Sequence, residues 1–271
     1  MAVGRFAPRN AVQRALALGA MHGPAELLPI SSSGHIALLP WLLGWDESTV
    51  DPELQKAFEV ALHAGTAAAL LIALRGEVRE ALDDASVDQA VLIALSFIPP
   101  AAVGFALERP IERFLGKPGS IAVGLIAGGA VMAWADRSPQ ERTHDQAGPL
   151  DALLLGVAQS CALMPGVSRN GATLAAGRFR RFTRRDAERL SRHVALPVIA
   201  GATLLKCLRL AQHGLPESAG VPFALGVGAS FVSTLASTAL IRAVERDASL
   251  APYAVYRIAL GTAVLRRLRS K

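Results

Sequence analysis

Six stretches of this chain stay apolar over about 17 to 25 residues, the length an α-helix needs to cross a hydrocarbon core. They run Ala57–Leu74, Val87–Leu107, Gly119–Ala135, His193–Leu210, Val221–Ile241 and Leu250–Leu265. No other feature narrows the fold as much, because backbone polar groups in lipid must be satisfied internally, which leaves only helices or closed barrels. Hydrophobic residues make up 52% of the 271, charged residues 18% and aromatics 5%, against about 25% charged in an ordinary soluble domain. Mean hydropathy is +0.36. Abundant Ala, Gly and Leu with few aromatics suit close helix packing, not a barrel. The predicted fold is therefore an all-α polytopic membrane protein, a single membrane domain over 1–271. Pro99, Pro100 and Pro197 fall inside spans and predict kinks, since neighbouring helices can satisfy the freed carbonyls.

The formal charge is +6, from 28 Lys+Arg against 22 Asp+Glu. Such a balance suits nucleic acid, anionic lipid or an anionic substrate. Nucleic acid is set aside, because no basic segment is interleaved with aromatics and the arginines fall between apolar runs, where membrane topology places them. Cys161 and Cys207 lie in apolar stretches and read as two buried free thiols. Met1–Asn10 carries Arg5 and Arg9 without an apolar core and a small-residue cleavage site, and reads as mature sequence.

Two further apolar stretches are interrupted at their middles. Ala11–Trp45 breaks at Pro29-Ile30-Ser31-Ser32-Ser33-Gly34-His35, and Leu150–Gly177 at Pro165-Gly166-Val167-Ser168-Arg169-Asn170-Gly171. Polar, helix-breaking sequence at membrane depth is tolerated only when buried in protein or lining a wet cavity, so both read as re-entrant hairpins. A constant offset of 137 residues lays Gly19 on Gly156, His22 on Gln159, Ser31 on Ser168 and Gly34 on Gly171. This predicts an internal duplication, repeat 1 over about 11–135 and repeat 2 over about 148–268, each with one hairpin and three spans. An odd number of spans inverts the second copy, the plan in which two broken segments meet near the midplane and build a binding site.

The breaks hold an unusual inventory for that depth. The first offers Glu26, Ser31, Ser32, Ser33 and His35; the second Ser168, Arg169, Asn170 and Thr173. Ionisable groups within a membrane mark a functional site by default. The Arg169 fork fits phosphate or carboxylate bidentately, and hydroxyls beside Gly-freed N–H groups at a helix start add donors for an oxyanion. Ser and His supply a nucleophile and a proton carrier, and Glu26 a base or a ligand for a divalent cation.

Glu26-Leu-Leu-Pro-Ile-Ser-Ser-Ser-Gly-His35 and Pro165-Gly-Val-Ser-Arg-Asn-Gly-Ala-Thr173 together resemble the paired signatures of the bacterial undecaprenyl-diphosphate phosphatase family, the bacitracin-resistance proteins. Phe58–Thr66 and Ala195–Ala202 are also similar to segments of that family. The resemblance implies a multi-pass enzyme of the bacterial inner membrane that removes the terminal phosphate from a polyprenyl diphosphate lipid. It also implies a site facing outside and dependence on a divalent cation, Mg²⁺ or Ca²⁺. Two positions depart from the pattern: His22 stands where the family usually has Glu or Gln, and Asn170 where it usually has Ser.

On this reading Glu26, Ser32, His35 and Arg169 are catalytic, with Ser32 as nucleophile or water-orienter and His35 assisting proton transfer. Ser31, Ser33, Ser168, Asn170 and Thr173 bind the diphosphate, and Glu26 with His22 organises the metal. Because hard cations gain little from nitrogen, His22 is expected as a helper that hydrogen-bonds Glu26 or the outer phosphate. The rival reading is a transporter or flippase for polyprenyl phosphate or another anion, an architecture that inverted repeats also serve. Arg178–Arg192 contains seven arginines, which predicts a solvated cytoplasmic segment and both termini outside. Oligomeric state is not legible in the sequence, and a homodimer is open to it.

Overall fold

The computed structural model describes residues 10–45, 52–76, 78–79, 87–213, 219–240 and 249–270, and what it describes is almost entirely helical. Ten α-helices follow one another among the described residues: α1 (Ala11–Leu27), α2 (Ser32–Leu43), α3 (Pro52–Ala73), α4 (Val87–Leu115), α5 (Pro118–Ala135), α6 (Pro149–Cys161), α7 (Arg169–Phe179), α8 (Arg184–His213), α9 (Gly220–Ala236) and α10 (Ala251–Arg269). Three carry windows long and apolar enough to cross a membrane, at Leu54–Ala73, Ala90–Leu107 and Pro118–Ala135. The helix predicted from His193 begins earlier, at Arg184, and that from Val221 ends earlier, at Ala236; Ile241 lies outside the described residues. Pro99, Pro100 and Pro197 all sit inside unbroken helices.

Both interrupted stretches fold as helix pairs, α1 with α2 and α6 with α7. Helix α9 lies against α1 and α3, while α4 lies against α6 and α8. Small residues allow the approach: a Cβ on Gly19 would stand 2.5 Å from the Gly226 carbonyl oxygen, and one on Gly156 would stand 2.8 Å from that of Leu95. The two glycines are 137 residues apart, and each docks its helix on a helix from the other half of the chain.

Side-chain contacts define the two ends of the bundle. Arg267 Nη1 donates to the Leu42 carbonyl at 2.6 Å, and the Arg14 guanidinium lies 5.1 Å from the Trp45 ring centre. The start of α1 and the ends of α2 and α10 therefore share one end. At the other, Asp136 after α5 accepts from Arg184 Nε at 2.6 Å, Ser249 Oγ at 2.8 Å and Leu250 N at 3.0 Å. Asp151 in α6 accepts from Arg142 and Arg180. Hairpin one thus opens toward one end and hairpin two toward the opposite end.

The Arg-rich segment differs from the expectation of a solvated loop. Arg178 is 1% exposed and donates to the carbonyls of Phe182 and Ser138. Arg180, Arg181, Arg184 and Arg192 pair with Asp151, Glu141, Asp136 and Glu188. The segment ties together the end of α5, the start of α6, the end of α7 and the start of α8. Cys161 is exposed, not buried, because it sits on the outer side of the last turn of α6; the Cys207 side chain lies outside those described.

Candidate active site

The first break follows from Pro29, which pushes Leu28 into extended backbone (φ −89°, ψ 151°) and ends α1. Ser31 then adopts a left-handed φ of 78° and caps α2, its Oγ accepting from Gly34 N at 3.3 Å. The second break repeats the device: Ser168, at φ 68°, caps α7 by accepting from Gly171 N at 3.2 Å. Ser31 and Ser168 thus accept through Oγ as caps, which leaves their O–H protons available for the phosphate expected of them. The loops touch at Gly34, whose Cβ would lie 3.4 Å from Gly166 Cα.

One position after each cap stands the first residue of the next helix, Ser32 and Arg169, and both reach Glu26. Ser32 Oγ donates to Glu26 Oε2 at 2.5 Å, and Arg169 Nη2 donates to Glu26 Oε1 at 2.8 Å. Glu26 and Arg169 line an open cleft with Asn170, Glu188, Ser191 and Arg192 on the polar side and Leu70, Leu74, Leu196 and Ile199 on the apolar side. Two helix N-termini start beside this group, where their partial positive charge favours an anion. The cleft runs between the last turns of α3 and the first turns of α8, so it lies at the end of the bundle that carries the Arg-rich segment.

The other predicted residues have different partners. Asn170 Nδ2 donates to the Leu27 carbonyl at 3.1 Å, and its Oδ1 accepts from Ser191 at 3.0 Å. Thr173, fully buried, donates to the Arg169 carbonyl at 2.9 Å and lies 2.5 Å from Ser191 Oγ. These two fix α7 against α1 and α8. His35 Nδ1 lies 2.7 Å from the Ser31 carbonyl oxygen and its Nε2 lies 2.6 Å from Tyr256 Oη, so both ring nitrogens are engaged away from Glu26. Ser33 is half-buried, one residue further round α2. His22 is not hydrogen-bonded to Glu26: its Nδ1 sits 2.7 Å from Thr66 Oγ1 and its Nε2 has no partner.

Three residues were overlooked in the sequence. His63 Nε2 stands 4.0 Å from Glu26 Oε2, and its ring meets that of His22 edge-on at 4.5 Å. Tyr256 holds His35. Arg257, fully buried, donates from Nη2 to the carbonyls of Gly166 at 3.0 Å and Val167 at 2.6 Å, with Nη1 3.5 Å from that of Pro29. It bridges the two breaks, and Gly171 leaves the space its guanidinium occupies. For His63 and Arg257 the available signal was an ionisable group in the middle of an apolar run.

Glu26 offers Mg²⁺ or Ca²⁺ a single carboxylate and the imidazoles beside it add little for such hard cations, so their remaining oxygens would have to come from water and a phosphate substrate. Among the described residues, the one cluster of potential metal ligands is His22, Glu26 and His63, a single carboxylate with two imidazoles.

Residues 15–263 match the family model described as bacitracin resistance protein BacA. The chain belongs to this family. It is 39% identical to an undecaprenyl-diphosphatase of Geobacter metallireducens, over 93% of this chain and 96% of that one. An undecaprenyl-diphosphatase of Geobacter sulfurreducens is likewise 39% identical, over 94% and 97%. One from Neisseria gonorrhoeae is 32% identical over 94% of each. The BacA match takes in both breaks and all three residues that meet at Glu26.

Proposed function

We propose that this BacA protein is an undecaprenyl-diphosphate phosphatase, hydrolysing the lipid diphosphate to undecaprenyl phosphate and inorganic phosphate. The observation that carries the reading is the Ser32 hydroxyl already hydrogen-bonded to a carboxylate that an arginine from the other hairpin holds in place. Ser32 Oγ attacks the terminal phosphorus, its proton passing to Glu26 Oε2 as the Oγ–P bond forms. Glu26 passes that proton to the bridging oxygen as its bond to phosphorus breaks, so undecaprenyl phosphate leaves and the carboxylate is restored. Water then attacks the phosphoserine, giving one proton to Glu26, which returns it to Ser32 Oγ as the Oγ–P bond breaks and phosphate departs. Arg169 turns its fork to the phosphate oxygens, where charge gathers. Asn170 and Thr173 position α7, Arg257 holds the two breaks in register, and His35 fixes the start of α2.

A transporter needs the arginine and the N–H donors but has no use for a hydroxyl poised on a carboxylate. In detergent no compartment exists, so purified protein that frees phosphate from undecaprenyl diphosphate is an enzyme. Binding of the lipid without phosphate release would favour the carrier reading.

The six spans proposed are α3, α4, α5, α8, α9 and α10, in an inverted repeat within one domain of the inner membrane. Docking of α1 on α9 and of α6 on α4, and the opposite openings of the hairpins, support it. An outward-facing site and a cytoplasmic Arg-rich segment exclude each other, because cleft and segment share one end. We place the cleft outside and the termini inside, where Arg266, Arg267, Arg269 and Lys271 satisfy the positive-inside preference. A cysteine at Ser270 that reacts with an impermeant reagent only after lysis supports this; labelling in intact cells overturns it.

A further inference from the structure

We propose that His22, His63 and Glu26 form a binding site for a borderline first-row divalent cation of the zinc type, in place of Mg²⁺ or Ca²⁺. The inference stands on donor geometry and holds with or without the lipid diphosphate as substrate. A chain of single-proton donors fixes the His22 tautomer. Ser230 Oγ donates to the Leu62 carbonyl at 2.8 Å, so it has no proton left for Thr66 Oγ1, 2.8 Å away. Thr66 must donate to Ser230, since each hydroxyl has one proton. Thr66 Oγ1 is then an acceptor for His22 Nδ1 at 2.7 Å, and the ring carries its proton on Nδ1.

His22 Nε2 consequently holds a bare lone pair in a residue that is fully buried, and none of the described residues donates to it. A buried acceptor left unmade is costly. His63 repeats the arrangement: its Nδ1 donates to the Glu59 carbonyl at 2.8 Å, which leaves Nε2 as a second lone pair facing Glu26 Oε2. Metal-bound histidines use this pattern, with one nitrogen donating to an oxygen and the other free for the metal. Glu26 Oε1 accepts from Arg169, and Oε2 accepts from Ser32 while also facing His63.

One ligand atom from each of the three residues lies within 4.8 Å of the other two, so one point lies within about 2.8 Å of all three, under 1 Å beyond the roughly 2.0–2.2 Å of zinc–nitrogen and zinc–oxygen bonds. Two imidazoles and a carboxylate suit zinc, cobalt and their neighbours, whereas Mg²⁺ and Ca²⁺ favour oxygen. His63 is 31% exposed at its side chain, which gives the ion a way in.

The test titrates Co²⁺ into full-length, tag-free protein in detergent, freed of metal with a chelator, and reads the visible d–d absorption with no substrate present. The proposal expects one Co²⁺ per chain, displaced by Zn²⁺ and retained against a roughly thousandfold excess of Mg²⁺ or Ca²⁺. His22→Gln and His63→Gln should each weaken binding at least about tenfold. His63 is half-exposed, so its variant reads the site even where His22→Gln fails to fold. Absence of the band, an unchanged band in the folded His63→Gln protein, or displacement by equimolar Mg²⁺ overturns the proposal. Because no turnover enters the measurement, its failure is distinct from failure of the phosphatase reading.

Discussion

Arg169 and Glu26 are 143 positions apart, and their side chains meet at 2.8 Å where the two broken hairpins converge. The pair is buried enough that each partner fixes the other. An arginine at the first position of α7 and a glutamate in the last turn of α1 make one group from two halves of the chain.

Arg169→Lys keeps the charge and loses the planar fork. Turnover of undecaprenyl diphosphate should fall at least about tenfold, equivalent to about 1.4 kcal/mol of transition-state stabilisation. Steady-state phosphate release from purified protein checks this, and near-normal turnover would remove Arg169 from the site.

Arg257→Met should lower kcat more than it changes KM, because the residue reaches carbonyls of both breaks and lines no part of the cleft. Arg257→Lys keeps a donor but cannot bridge three carbonyls, and should restore little. A kcat equal to the parent's in a folded Arg257→Met protein would contradict the clamp.

Much of this site was legible. The Pro/Ser/Gly interruptions of Ala11–Trp45 and Leu150–Gly177 located both breaks, and the offset of 137 made Ser32 and Arg169 equivalent before either was placed in space. What sequence could not say was how each donor is used. Ser31 and Ser168 look like phosphate ligands beside Ser32, and only the backbone φ separates a cap from a nucleophile. His22 meets Thr66 and Ser230 through contacts 44 and 208 residues apart in the chain, and no local pattern encodes such pairs. The arginines of 178–192 read as a solvated loop because their acidic partners, Asp136 among them, lie on other elements.

Gly19→Ala should destabilise the protein by about 1–3 kcal/mol, since a Cβ would meet the Gly226 carbonyl oxygen at 2.5 Å and Ala229 Cβ at 2.8 Å. Gly228→Ala is the control, because its Cβ would meet nothing within 4 Å. Thermal unfolding in one detergent should separate the two, and equal midpoints would argue against the tight contact of α1 with α9.

Asp136 contributes to the acid limit at the Arg-rich end. Burial disfavours its charge, but hydrogen bonds from Arg184, Ser249 and the Leu250 N–H outweigh burial and hold the carboxyl below its ordinary value. A depressed folded pKa gives stability that is present above the unfolded pKa and lost as pH falls through the folded one. The melting midpoint should therefore hold near neutrality and drop below about pH 4. Asp136→Asn should lower the midpoint at pH 7 and flatten that acid limb; an unchanged limb would assign it to other carboxylates.

The claim that Ser32, with Glu26 taking its proton, performs the chemistry is tested most directly by phosphate release from undecaprenyl diphosphate by purified Ser32→Ala beside Ser33→Ala. Ser32→Ala should lose at least about a hundredfold in turnover, and Ser33→Ala should stay close to the parent. A folded Ser32→Ala protein that releases phosphate at the parent's rate would contradict it.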